Sequence, residues 1–235
     1  MENTKIGYME TLSLKNDARK ALSLYKKMEG YRIQEELLQC LVRKYPENIV
    51  SDIVETKVKL LNLFYSTGIQ ATNYMAKNIL GIKAVDKRLK ERDLILVAEI
   101  AKLKLSGDTT RFNYSFATKY CALHEPKKFP IYDSIVAATF ISLFEKGLLP
   151  KYSYSRSIKG TKSNSYTKGS FSARLKDYVF FVEVYDYFMD LYDLKSFTYR
   201  EIDSYIWGAF KIAGNDFEIE KMAKLDKSKI KEYTI

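Results

Sequence analysis

Only 4 prolines and 10 glycines interrupt 235 residues, and a chain so poor in turn-formers cannot fold as a sandwich of many short strands, which needs a turn roughly every ten residues. Helices are therefore expected to dominate. The apolar pattern agrees. Ile33, Leu37, Leu38, Leu41, Val42 and Tyr45 recur at helical spacing and stop at Pro46, where the ring removes a backbone donor. Similar stripes predict helices over roughly 48–65, 69–80 and 92–105, punctuated by Gly68 and Gly81 and closed by Ser106-Gly107. Two further helices are predicted over 113–124 and 133–146, the first ended by Pro126 and the second by Gly147. The aromatic stripe Tyr178, Phe180, Phe181, Tyr185 and Phe188 marks a core helix over 175–191, and Thr198-Tyr199-Arg200-Glu201 has the pattern of a capping box opening another. The expected fold class is all-α. With no repeat and no break in composition, residues 1–235 read as one helical domain, which a helical fold can still arrange in two lobes.

Charge narrows the partners. The chain has 39 Lys+Arg against 29 Asp+Glu, a net charge of +10, and a sustained positive field attracts polyanions. No apolar run is long enough to span a bilayer, and Met1-Glu2-Asn3-Thr4-Lys5 lacks the order of a signal peptide. The expected setting is the cytoplasm, with no membrane partner and a monomeric chain. Basic residues are densest over 151–176, where Lys151, Arg156, Lys159, Lys162, Lys168, Arg174 and Lys176 meet no acidic residue and alternate with Tyr152, Tyr154, Tyr166 and Phe171. This basic Tyr/Ser loop is either a solvated insertion or a nucleic-acid arm, with Lys159, Lys162 and Lys168 on phosphates and tyrosine rings on bases. Cys40 and Cys121 lie far apart in apolar helical contexts, so a disulfide is not expected. Cys121-x-x-His124 is half a metal site with no second half in view, so a structural role is expected of the one histidine.

The most informative stretch runs from Asn113 through Ser115, Ala117, Thr118 and Lys119 to Phe129-Pro130-Ile131-Tyr132-Asp133-Ser134. Lys119 stands in one predicted helix and Asp133, fourteen positions on, opens the next. Asp133 before an apolar helix is also an ordinary N-cap, and an aspartate can cap and catalyse together. The arrangement resembles the second half of the helix-hairpin-helix DNA glycosylase superfamily, all-α base-excision enzymes in which a helix carrying a lysine leads to a Pro-apolar-apolar-Asp segment. The resemblance covers about a hundred residues loosely, and its tight part is Ala117-Thr118-Lys119 and Pro130-Ile131-Tyr132-Asp133. It implies a two-lobed helical fold with a cleft between lobes, excision of a modified or damaged base from DNA, Lys119 as an amine nucleophile and Asp133 as the catalytic carboxylate. The family has glycines four and two residues before its lysine, where backbone amides approach a phosphate. Here Ser115 and Ala117 occupy those positions, and with Thr118 they are the expected phosphate contacts. Two distant cysteines cannot supply four thiolates, so no iron-sulfur cluster carries over and no cofactor is expected.

Breaking an N-glycosidic bond builds positive charge on the sugar, which a nearby carboxylate stabilises. A helix N-terminus favours negative charge, which suits Asp133 to that task. Lys119 has to react as a neutral amine, and this requires burial or positive neighbours. A base inside a duplex is first flipped out and stacked between side chains, with Trp207 or the aromatic third quarter of the chain as the platform. Asn62 or Tyr65 is read as a lining residue of the cleft. Asp203-x-x-x-Trp207 is read as a packing or hydrogen-bond feature. The alternative function on the same scaffold is a catalytically silent nucleic-acid-binding protein, and a third is a helical partner-binding domain.

Overall fold

A computed structural model describes residues 18–19, 22, 29–105, 109–154 and 165–213. Their contacts divide the chain into two compact units, one of residues 29–132 and one of residues 1–28 with 133–235. Both are mostly helical.

In the first unit six helices, α1 (Glu29–Lys44), α2 (Ser51–Tyr65), α3 (Thr72–Gly81), α4 (Val85–Lys90), α5 (Leu96–Ala101) and α6 (Tyr114–His124), surround one apolar core. α1 ends where Pro46 forbids another turn, as its sequence demands. Its apolar stripe, however, is split: Leu38 and Val42 are buried, whereas Ile33, Leu37 and Tyr45 are exposed. α2 stops on a left-handed Ser66 (φ 48°), and Gly68 (φ +74°) completes the turn into α3, a conformation for which glycine carries no steric cost. Asn62 fixes that turn. Its Oδ1 accepts from Thr67 Oγ1 (2.7 Å) and Ile69 N (2.9 Å), and its Nδ2 donates to Ile69 O (2.9 Å), so the residue read as a cleft liner is a loop staple.

The single helix expected over 92–105 is not what forms. Arg92 is left-handed (φ 60°), α5 begins only at Leu96, and at Lys102 the chain turns to strand. β1 (Lys102–Lys104) pairs antiparallel with β2 (Thr110–Phe112). Lys102-Leu103-Lys104 alternates charged and apolar residues with period two, and only Leu103 is buried, which is a strand signal that the longer helical stripe obscures. α4 was equally unmarked, a six-residue helix entered through a left-handed Ala84 (φ 55°). Arg88 on α4 braces the corner with a fork, Nε to Asp93 (2.7 Å) and Nη2 to Glu99 (2.6 Å).

The second unit is built on aromatic rings. It comprises α7 (Ser134–Glu145), α8 (Lys168–Arg174), α9 (Tyr178–Leu191) and α10 (Tyr199–Ala213), with a short parallel bridge between β3 (Ser153–Tyr154) and β4 (Ser165–Tyr166). Phe140 of α7 meets Tyr185, Phe188 and Phe181 of α9 at centroid separations of 5.2, 5.5 and 6.0 Å. Here the described parts of the basic segment, 151–154 and 165–176, depart from the exposed loop expected of them. Tyr152 and Phe171 are buried, and Phe171 stacks on Phe144 at 4.2 Å while Tyr152 and Tyr166 pack against Phe180. These rings belong to the core, because aromatic burial outweighs the cost of ordering a polar segment.

Candidate active site

α6 is buried almost all round, with nine of its eleven residues out of solvent, Lys119 among them at 7% exposure. Phe116, Lys119, Tyr120 and Leu123 stand at positions i, i+3, i+4 and i+7, so the lysine occupies a place in the helix's own apolar stripe. Its Nζ donates to Ser115 Oγ one turn back (2.7 Å) and lies 5.9 Å from the centre of the Tyr65 ring on α2. Tyr65, read as a cleft residue, is thus the aromatic neighbour of this amine.

The expected phosphate contacts Ser115, Ala117 and Thr118 have different fates. Ser115 is half-buried and holds Lys119. Ala117 and Thr118 are wholly buried and offer no surface to a phosphate. Thr118 has a structural task instead. Its Oγ1 donates to Ser115 O (3.0 Å) and accepts from Tyr132 N (3.1 Å), pinning the returning Pro130–Tyr132 segment against α6. No described residue between 109 and 133 needs positive φ, so the missing glycines cost no backbone strain. The connection from α5 to α6 passes through the β1–β2 ribbon.

In its own unit Asp133 is the N-cap of α7, with φ −143° and Oδ1 accepting from Ile135 N and Val136 N, both at 2.9 Å. Both capping bonds fall on Oδ1, and Oδ2 takes part in neither. Nearby, the buried Tyr185 hydroxyl is held well above the ordinary tyrosine range, first by burial and then by the carboxylates of Asp203 and Asp133. Asp203 is itself buried and bridged to Arg200 Nη1, which agrees with the hydrogen-bonding role read for it. Sequence reading did not single out Tyr185 as a companion of Asp133, since ring and carboxylate come together only through the packing of α7, α9 and α10.

Of the three basic-loop residues, Lys159 and Lys162 lie outside the described residues. Lys168 opens α8 and is paired with Glu145 (3.0 Å) while remaining 62% exposed. Cys121 is wholly buried and burial pushes its thiol far up. His124 is pushed down to about 3, mainly by burial and then by Lys57, so its imidazole is neutral. Among the described residues no group of three or more His, Cys, Asp or Glu has the proximity to hold a metal ion.

One polar cluster in the first unit escaped the sequence. Lys57 on α2 is 0% exposed, and its Nζ donates to Glu47 O (3.0 Å) and Asn48 Oδ1 (3.1 Å). Asn48 in turn donates from Nδ2 to Asp86 (2.7 Å) and accepts from the Tyr120 hydroxyl (2.6 Å). Burial brings the Lys57 amine down to about 8 against the pull of Asp86. Val54, Lys57, Val58 and Leu61 are spaced i, i+3, i+4 and i+7, the same register as Lys119, and a lysine inside an apolar stripe was the available signal.

A model of the HI_0787_N family, described as an N-terminal domain, matches residues 17–128 and so ends close to the boundary of the first unit at Tyr132. An uncharacterized protein of Haemophilus influenzae is 40% identical over 150 residues, which are 64% of this chain. The match spans 62% of that relative's length. No solved structure matches. Among the described residues no helix is long and apolar enough to cross a membrane.

Proposed function

We propose that the chain is a DNA glycosylase-like enzyme that excises a modified base, with Lys119 as nucleophile and Asp133 as the carboxylate that stabilises charge on the sugar. The observation that carries this reading is the placement of Lys119: a lysine buried to 7% exposure, its amine held by Ser115 and facing the Tyr65 ring. Lysine is seldom buried for stability, since an ammonium loses its hydration there, so a buried lysine amine is a candidate for chemistry. In the proposed step Lys119 Nζ bonds to C1′ of the deoxyribose as the C1′–N bond to the base breaks. The base departs with the bonding electron pair and is protonated. The Nζ ammonium then releases a proton to solvent, and its lone pair forms the C1′–N double bond as O4′ leaves C1′ with the bonding pair and takes a proton from solvent, giving an iminium link between Lys119 and C1′ in the opened sugar. The reading further supposes a two-lobed arrangement in which Lys119 and Asp133 serve one substrate. Asp133 suits its part because the cap fixes its position while leaving Oδ2 outside the capping bonds.

The test is borohydride trapping on duplexes that carry a panel of modified bases. The expected result is a covalent protein-DNA adduct that Lys119→Ala abolishes, together with base release that Asp133→Asn slows by several orders of magnitude at unchanged DNA affinity. Helix content and melting of both variants should match the parent. Full base release by Lys119→Ala would remove the lysine from the mechanism. Asp133→Asn activity equal to the parent's on every substrate would sink the glycosylase reading. The second reading, a silent nucleic-acid-binding protein, is favoured by the cap itself, which gives Asp133 a sufficient structural reason to be there. DNA binding with no base release from any member of the panel would establish it.

A further inference from the structure

We propose that the β1–β2 ribbon is a docking surface for an unpaired nucleotide, with Phe112 stacking on its base and Lys102 and Lys104 holding the flanking phosphates. The inference rests on the nucleic-acid part of the reading above and not on the chemistry of Lys119. Register puts these residues together. Lys102 is directly opposite Phe112 and Lys104 directly opposite Thr110, and directly opposed residues of antiparallel strands share a face. All four are exposed, whereas Leu103, on the other face, is buried. Among the described residues, one face of the ribbon therefore carries two lysines, a threonine and a phenylalanine, with no carboxylate.

Phe112 is 57% exposed, which is costly for an aromatic ring and unnecessary for a two-stranded ribbon. Its orientation is set from within. The ring lies near-parallel to Tyr114 (6.1 Å between centroids, 20° between planes), and Tyr114 is buried against Tyr132 at 4.6 Å. An anchored ring with an outer face in solvent needs no reordering to receive a base, and any of the bases offers a π-face to it. The neighbouring lysines select a polyanion, and the chain's +10 charge favours its approach. A paired base hides its faces in the stack, so the fit is to a single strand or an unpaired position.

The experiment is fluorescence anisotropy of the full chain with a labelled single-stranded oligonucleotide and with the blunt duplex of the same sequence, across a salt series. The parent should prefer the single strand. Phe112→Ala and Phe112→Leu should each weaken single-strand binding about tenfold, as expected for one stacked base. Lys102→Ala combined with Lys104→Ala should lower the slope of log affinity against log salt by about 1.4, the value for two phosphates of a single strand. The substituted residues are exposed, so melting should not change, and it serves as the folding control. Parent-like affinity in all these variants overturns the ribbon surface while leaving the proposed chemistry to its own test. Parent-like affinity in Phe112→Leu alone overturns stacking. No DNA binding by the parent overturns this proposal and the previous one together. Phe112-dependent sedimentation with phosphatidylserine vesicles but not with DNA would assign the face to a lipid surface instead. Loss of binding in the ribbon variants alongside undiminished base release by Lys119→Ala would uphold the ribbon and overturn the lysine chemistry.

Discussion

At the scale of single residues, each polar group inside the first unit was buried at some cost in hydration and answers that cost in its own way. Lys57 donates to Glu47 O and Asn48 Oδ1, and Asn48 is held in turn by Asp86 and Tyr120, a network of the kind a structural lysine requires. His124 is a different case: it packs on Tyr120 at 5.0 Å, has a hydrogen bond with the Pro46 backbone and is kept neutral, with Nε2 lacking a hydrogen-bond partner among the described residues. Its folded-state value of about 3 lies below the ordinary 6.5. Below pH 6.5 the unfolded chain takes up a proton that the folded chain refuses, so this contribution to stability is complete above 6.5 and is lost as pH falls from 6.5 towards 3. Since the chain has one histidine, urea denaturation between pH 6.5 and 5.5 should show a loss of up to about 1.4 kcal/mol per pH unit. His124→Gln should flatten that dependence, and an unchanged slope in the variant would assign it to other groups.

At the scale of elements, the two units start their helices differently. In the second, Asp133, Thr167 and Asp177 cap α7, α8 and α9 with their side chains. Thr198 and Glu201 close the capping box of α10, Thr198 N donating to Glu201 Oε2 (2.8 Å) and Glu201 N to Thr198 Oγ1 (3.2 Å). In the first unit, the N-cap residues of α2 to α6 make no side-chain capping bond, with only Asp93 accepting from Ile95 N ahead of α5, so these helices rely mainly on packing of their apolar faces. Thr198→Ala should therefore cost about 1 kcal/mol by removing a local bond that nothing else replaces. Equilibrium denaturation measures it, and a shift within error would show that α10 is fixed by packing alone.

At the scale of the whole molecule, residues 29–132 have a core of their own, formed by Leu38, Val54, Val58, Leu61, Met75, Ile79, Leu96, Ile100, Phe116 and Tyr120. A unit with its own core can fold alone. A fragment of residues 29–132 should accordingly be helical by circular dichroism and melt in one cooperative transition. A broad, non-cooperative melt would mean that the unit depends on the rest of the chain.

How much of this was written in the sequence follows from the range of the physics involved. The end of α1 at Pro46, the cap at Asp133 and the capping box at Thr198 are local effects, settled within a turn of helix by one missing donor or one carboxylate, and they were legible residue by residue. So was the dominance of helix. The ribbon at Lys102–Phe112 was lost because its pattern spans three residues per strand, too few to outweigh a helical stripe that runs into it. The basic segment looked solvent-bound because composition counts its lysines but does not know that Phe144 and Phe180 await Tyr152, Tyr166 and Phe171. The same holds for the candidate site. Sequence alone nominated Lys119 and Asp133, but burial of the lysine, its seat on Ser115 beside Tyr65 and the company of Tyr185 and Asp203 around the aspartate were decided only by tertiary packing, since desolvation depends on neighbours distant in the chain.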